Sequence, residues 1–473
     1  MKCGSTFSEI LTASTRSWNE RKVDELLLSL AIPIKEVDPL NKLPVLGTDQ
    51  DFTFLWDCFP GLTIAAAGQC QHLELVGPQR FDVAQRFCDE TFSQLVDATK
   101  EAPIHARPRI TLAFTFFDQI TNRDRANDDQ PAMQAVLPRW QLSNQDYSAW
   151  LRINAVMSHE SDAREIAEHL WMMSEKLVQS SFQLDYSTID QSLAHSDQKN
   201  WQDCYRSALS KGIELVNNGE LDKLVLAVRQ SLVLRKKLDP LFMLLRLRHQ
   251  QASSCRFLWK SSKDEAFFGA SPERLLSLHA GQIRSDALAG TANTNENGRD
   301  LLRSEKNLRE HALVVASITK QLTLQGLEPF CPQGPQLAQQ GHLLHLHTPI
   351  VASARGKLPL HLVGALHPTP AVAGLPRRES LKWLRALEPF ERGNYAAPIG
   401  WIDSEGNSEF RVAIRCGYAR GNNLDLIAGA GLVKGSSIEG ELKEVSSKFA
   451  VLANQLDLGS FSQPITFNRR SIT

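Results

Sequence analysis

Lys223 stands at the mouth of a nearly continuous apolar run, Leu224 to Val228, of strand length and fit to be buried on both faces. A lysine there is either a strand-end residue that snorkels to water or an amine whose charge burial disfavours, and which can then accept a proton. Glu273 follows Pro272 in Phe267-Phe-Gly-Ala-Ser-Pro-Glu-Arg-Leu-Leu276. It is either a surface carboxylate paired with Arg274 or a desolvated carboxyl that keeps its proton and can act as an acid. In Asp286-Ala-Leu-Ala-Gly-Thr291, Gly290 permits close backbone approach to a ligand and Thr291 offers a hydroxyl and an N–H. Glu305 and Glu310 fall in the segment Ser304–Val315, which leads into a helix running to about Leu322, and Glu441, Glu444 and Lys448 fall at i, i+3, i+7 on another helix. Such carboxylates are either a solvated charged stripe or the hard oxygens that Mg2+ selects. His342, His345 and His347 fit a strand as well as a transition-metal cluster.

These groups need elements to hold them. After Ala428-Gly-Ala-Gly431, a Ser-rich turn starts a helix with an acidic first turn, which suits its dipole. A hairpin with its turn at Ser404–Asn407 returns as a strand over Ser408–Arg420, with Phe410, Val412, Ile414, Cys416 and Tyr418 on one face. Glu409, Arg411, Ala413, Arg415 and Gly417 line the other face, which is solvent-exposed or an anion-binding cleft. Upstream, the spacing predicts helices over Phe81–Lys100 and Asp162–Phe182, a strand over Ile110–Phe117 and a polar loop over Thr121–Gln134. The polar stretch Ser187–Lys199 separates two textures. The expected organisation is a scaffold over 1–195, a catalytic region over 196–460 and a tail over 461–473.

Composition limits the classes of function. The 473 residues carry 52 Lys+Arg and 53 Asp+Glu, a net charge of −1, which argues against broad binding to nucleic acid or an anionic membrane. The eight cysteines form no C-x-x-C pair and read as reduced thiols. Residues 1–19 lack a continuous apolar segment, and no apolar stretch is long enough to span a bilayer, so a cytoplasmic location is expected. No swapped or coiled-coil signature appears, and a monomer is expected.

Each segment alone reads most simply as ordinary structure; their order along one chain does not. Glu220-Leu-Asp-Lys-Leu-Val-Leu-Ala227, Ala270-Ser-Pro-Glu-Arg-Leu275, Ala287-Leu-Ala-Gly-Thr291, Lys306-Asn-Leu-Arg-Glu310, His367-Pro-Thr-Pro-Ala-Val-Ala-Gly-Leu-Pro-Arg377, Glu391–Trp401 and Ala428-Gly-Ala-Gly431 with Glu441 and Glu444 form seven ordered blocks. With these blocks the chain resembles the chorismate-utilising enzymes, and within them the isochorismate synthases of menaquinone biosynthesis. The resemblance spans about residues 199–455 and extends to anthranilate synthase component I and salicylate synthase.

The resemblance implies an α+β fold, a four-layer α/β/β/α sandwich of two large, mostly antiparallel sheets with the site in a cleft between them. It implies a Mg2+-dependent, reversible conversion of chorismate to isochorismate, with water adding at ring C2 and the C4 hydroxyl leaving. Lys223 would be the general base and Glu273 the general acid. Glu310 and Glu444, with Glu441 close by, would hold Mg2+. Tyr395, Arg415 and the Gly429–Gly431 turn would hold the enolpyruvyl carboxylate, with Lys448 near, and Gly290, Thr291 and His347 would line the cleft. Ala289 stands where aminodeoxychorismate synthases carry an attacking lysine, and Ala371 where salicylate synthases carry threonine. The chain departs from the family pattern at Val228, Ile438 and Leu442. Salicylate or anthranilate synthesis, or an inactive chorismate-binding protein, are the competing readings.

Overall fold

The computed structural model describes residues 6–20, 24–99, 101–119, 131–182, 193–196, 198–294 and 298–456. The 461–473 tail, and most of the stretches read as a loop over 121–134 and a separator over 187–199, lie outside the described residues.

Among the described residues, twenty strands form two sheets that meet in Met133–Gln145. The first sheet runs from Lys223–Leu234 through Asn423–Leu432, Cys416–Arg420, Glu265–Ser271, Cys255–Lys260, Thr53–Asp57 and Thr63–Leu75 to Met133–Gln145. Beyond that strand it adds Ser148–Met157, Leu26–Ile34 and Leu95–Asp97. The second runs from Gln336–Gln340 through Leu343–Ser353, Gln282–Asn293, Arg274–His279, Ser408–Val412, Pro398–Asp403 and Arg109–Phe114 to the N-terminal part of the shared strand. Among the described residues every ladder is antiparallel except Leu26–Ile34 with Leu95–Asp97. Strands from both sides of residue 195 share these ladders: Thr53–Asp57 pairs with Cys255–Lys260, and Arg109–Phe114 with Pro398–Asp403.

Helices cover the sheets. Ile438–Ala453 packs on Asn423–Leu432, and Glu305–Leu324 on Gln282–Asn293 and Leu343–Ser353. Serine caps set both helix starts: Ser304 Oγ accepts from Asn307 N, and Ser437 Oγ from Gly440 N. Lys223–Val228 is buried throughout, as a run apolar on both faces requires.

The helix expected over Asp162–Phe182 ends at Gln179 and the strand expected over Ile110–Phe117 is Arg109–Phe114, and two elements differ further from the sequence expectation. The helix expected over Phe81–Lys100 is Arg80–Gln94, because Leu95–Asp97 leaves it to pair with Leu27–Ser29. The strand expected over Ser408–Arg420 is two strands. Ser408–Val412 belongs to the second sheet and Cys416–Arg420 to the first, and the chain crosses between them at Ala413–Arg415. Arg415 turns that corner at φ +53°, which breaks the alternation that a single strand would have kept.

Candidate active site

The chain makes a second crossing between the sheets, from Glu265–Ser271 to Arg274–His279, and Glu273 stands on it. The two crossings are bonded side by side: Val412 N donates to Glu273 O (3.1 Å) and Ala270 N to Arg415 O (3.0 Å). A candidate acid and a candidate anion-binding cation thus sit on adjacent corners, where the sheets diverge and leave a cleft. Its lining includes Val225, Glu273, Leu288 to Thr291, Glu310, His345, Ala371, Val372, Tyr395, Ile414, Arg415, Gly429, Gly431, Glu444 and Lys448, around some 640 Å³ of space that opens to solvent.

Lys223 begins its strand fully buried, and its Nζ donates to Glu310 Oε1 at 2.8 Å. The sequence reading placed this amine among apolar groups; the fold gives it a carboxylate from Glu305–Leu324. Gly431 makes room for the pair, since a Cβ there would lie 2.7 Å from Glu310 Oε1 and 3.1 Å from Lys223 Cε. Glu273 is 3% exposed and does not pair with Arg274, which turns to Asp286 (3.1 Å) and Glu409 (3.6 Å). Burial pushes the Glu273 carboxyl up to about 8, with Asp286 adding to the rise and Lys223 and Lys448 opposing it. Near neutrality it holds a proton it can give.

Three lysines face three carboxylates at this end of the cleft. Besides Lys223–Glu310, Lys306 Nζ lies 2.8 Å from Glu441 Oε1 and Lys448 Nζ 2.6 Å from Glu444 Oε1. Lys448 also donates to Gly429 O (2.7 Å). Burial and the Glu444 charge raise the Glu441 carboxyl. Burial acts in the same sense on Glu444, but Lys448, together with Lys306 and Lys223, outweighs it and holds that carboxyl below its ordinary range. Glu441 does not line the cleft itself.

Arg415 is buried, and desolvation brings its guanidinium down to about 10. Its Nη2 meets His345 Nε2 at 3.1 Å, while His345 Nδ1 lies 3.3 Å from Gly290 O and 3.2 Å from Thr291 Oγ1. Burial, with Arg415 and Lys448 beside it, drives His345 well below the ordinary imidazole value, so it is neutral. Thr291 comes opposite His345 because Gly290, at φ +77°, forms a bulge after Ala289.

His345 was not among the residues expected to line the cleft, whereas His347 was. His347 lies farther along the strand, where its Nε2 meets Asp286 Oδ1 (3.1 Å), and it is absent from the lining. The three histidines do not converge on a metal: His342 Nε2 meets Ser447 O (3.2 Å), and the other two have the partners just given. Among the described residues no group of three or more His, Cys, Asp or Glu is gathered closely enough to hold an ion.

The wall carrying Lys223 is held by a pair the sequence reading passed over. Glu388 Oε1 accepts from Ala227 N (2.8 Å), while Arg392 donates to Val225 O and Val372 O (both 2.7 Å) and to Glu388 Oε2 (2.8 Å). Both side chains are buried, 1% exposed. They supply hydrogen bonds to a strand whose neighbour there, Gly374–Leu375, is only two residues long. A charged pair spaced i, i+4 just before Gly393-Asn-Tyr395 was the available signal.

Comparison with known proteins fits this geometry. A family described as chorismate binding enzyme matches residues 11–457. The chain belongs to the chorismate-binding enzymes. It is 32% identical over 350 residues to isochorismate synthase MenF of Bacillus subtilis, covering 72% of this chain and 73% of that protein. It is 31% identical over 456 residues to the salicylate biosynthesis isochorismate synthase of Pseudomonas aeruginosa, covering 89% of each. Among solved structures, MenF, the menaquinone-specific isochorismate synthase from Escherichia coli, superposes with a TM-score of 0.72 at 25% identity, over 94% of this chain and 100% of that one. The chorismate-binding fold therefore extends through the N-terminal segment. No helix among the described residues is long and apolar enough to cross a membrane.

Proposed function

We propose that this chorismate-binding enzyme is an isochorismate synthase that acts as a monomer in the cytoplasm. The observation that carries the reading is the buried, proton-holding Glu273, which shares a cleft wall with Arg415 and faces the Lys223–Glu310 pair. Chorismate brings two carboxylates, and Arg415 and Lys448 are the cations that line the cleft. Lys223 takes a proton from the water that adds at ring C2. Glu273 gives its proton to the C4 hydroxyl, which leaves as water while the ring double bonds shift between the two carbons. Each group must then be reset, and the reverse reaction uses the same pair with roles exchanged. Ala289 and Ala371 put no amine or hydroxyl against the ring, which supports addition of water rather than a covalent route.

The carboxylates fit a hard divalent cation. Glu441 keeps one buried oxygen, Oε2, without a hydrogen-bond partner, and Lys306 lies in the combined field of Glu441, Glu444 and Glu310. Mg2+ retains waters and takes only one or two protein carboxylates, completing its shell with substrate, so a closed three-ligand cluster is not required. Glu310 and Glu444, with Glu441 behind them, would hold it. When bound it would orient the substrate carboxylate and stabilise its charge. Engagement of Glu310 in that way would release Lys223 from its carboxylate and leave the amine available as a base.

The test is incubation with chorismate and Mg2+, with and without ammonia, and chromatographic identification of the product. Isochorismate in both arms is expected, with loss of turnover under EDTA and recovery on adding Mg2+. Salicylate with pyruvate, anthranilate in the ammonia arm, or tight binding without conversion would each reject the reading.

A further inference from the structure

We propose that Cys58 and Cys255 are the two halves of a reversible disulfide, a modification site on the strand pair Thr53–Asp57 and Cys255–Lys260. Asp57 is opposite Arg256 in that ladder, and one step further the register sets Cys58 opposite Cys255. Cys58 turns both backbone groups the other way: its N–H donates to Leu62 O (3.2 Å) and its C=O accepts from Gly61 N (2.8 Å). The side facing Cys255 is therefore a non-hydrogen-bonded position, where opposed Cα atoms lie about 4.5 Å apart and side chains approach most closely. That spacing falls inside the window of about 4.4–6.8 Å that a disulfide spans. The Cys255 thiol donates only a long, weak hydrogen bond, to Arg256 O at 3.8 Å.

The environment divides the roles. Cys58 is half-buried and Cys255 buried, so Cys58 is the thiol that a soluble oxidant reaches. Burial raises the Cys255 thiol well above its ordinary value, with the Arg411 guanidinium opposing the rise, so Cys255 is suited to the second, resolving step rather than the first attack. With oxidised glutathione, the Cys58 thiolate attacks one sulfur, breaks the S–S bond and releases one glutathione thiolate. The Cys255 sulfur then attacks Cys58 Sγ, forms the protein disulfide and expels the second glutathione. The two protein protons end on the two glutathione thiolates. Two thiols are oxidised and one glutathione disulfide is reduced, without any further reactant. The bond would tie a strand from the N-terminal part of the chain to one from the catalytic part, a long closed loop in the unfolded chain. It is independent of the reaction proposed above.

The experiment treats the full-length protein with oxidised glutathione, alkylates the remaining thiols and maps unreduced peptides by mass spectrometry. The expected result is a linked Cys58–Cys255 peptide that dithiothreitol abolishes, together with an upward shift of several degrees in Tm that reverses on reduction. Cys58→Ser should lose both signals, and Cys204→Ser, at an exposed thiol, should keep both. The proposal is overturned if glutathione remains as a mixed disulfide on Cys58, if Cys255 is recovered only as a free thiol, or if the linked peptide joins other cysteines. The peptide map is read on the unaltered chain, so it stands whether or not a variant folds.

Discussion

Lys223 Nζ and Glu310 Oε1 stand 2.8 Å apart, with the lysine side chain 1% and the glutamate 12% exposed. Each charge is tolerable there because the other is present, and removing either leaves its partner with little water. Glu310→Gln is expected to destabilise the fold by about 3–5 kcal/mol, the cost typical of breaking a buried pair. Lys223→Ala should lower kcat by roughly 10²–10⁴-fold, the usual contribution of a positioned base. Denaturant unfolding and product assays on both variants check this. A Lys223→Ala protein with native turnover would remove the assigned base.

Glu273 gives a pH dependence whose sign follows from its surroundings. In the unfolded chain its proton leaves near 4.5, whereas in the folded protein, where burial opposes the charge, it stays until about 8. Between those values the folded state binds more protons, so stability declines as pH rises from about 4.5 to 8 and levels off above. Glu273→Gln removes that slope. Measured without metal, the variant is expected to match the native protein near pH 4 and to exceed it above pH 8 by roughly 3–5 kcal/mol. Its turnover should be lost, and native turnover should fall above pH 8 as the acid ionises. A stability gap that narrows as pH rises would contradict the assignment.

Gly431→Ala tests how tightly the base is seated. Its methyl would meet Glu310 Oε1 at 2.7 Å and Lys223 Cε at 3.1 Å, and both belong to the pair that must stay in place. Overpacking of this kind costs about 1–3 kcal/mol, so the protein should fold with a lowered Tm. A fall in kcat of at least about tenfold, the effect of a 1.4 kcal/mol rise in the barrier, is expected alongside. Steady-state kinetics with a thermal melt separates the two effects.

Arg392→Met leaves the Glu388 carboxylate buried beside Ala227 N and withdraws donors from Val225 O and Val372 O. The expected loss is about 3–5 kcal/mol. Adding Glu388→Gln should recover part of it, because the two losses share one pair and do not add. Chemical denaturation of the two single variants and the double variant gives the coupling directly; simple additivity would mean that the pair does not act as a unit.

Much of this protein follows from its linear order of residues. The apolar run after Lys223 is a strand buried on both faces, Ser304 and Ser437 cap the helices that carry Glu310 and Glu444, and Glu441, Glu444 and Lys448 recur on one helix. These are local regularities, governed by side-chain period and capping chemistry, and the ordered blocks that mark the family are built from them. The tertiary structure decided what depends on distant partners. Arg415 reaches the cleft because the chain changes sheets and turns through a positive φ, which a period-two reading cannot show. The Gly290 bulge puts His345 rather than Leu344 opposite Thr291. Lys223 acquires its carboxylate, and Glu273 its proton, from packing between segments far apart in sequence. Those charges are set by burial and neighbours in space, and neither is a property of adjacent residues.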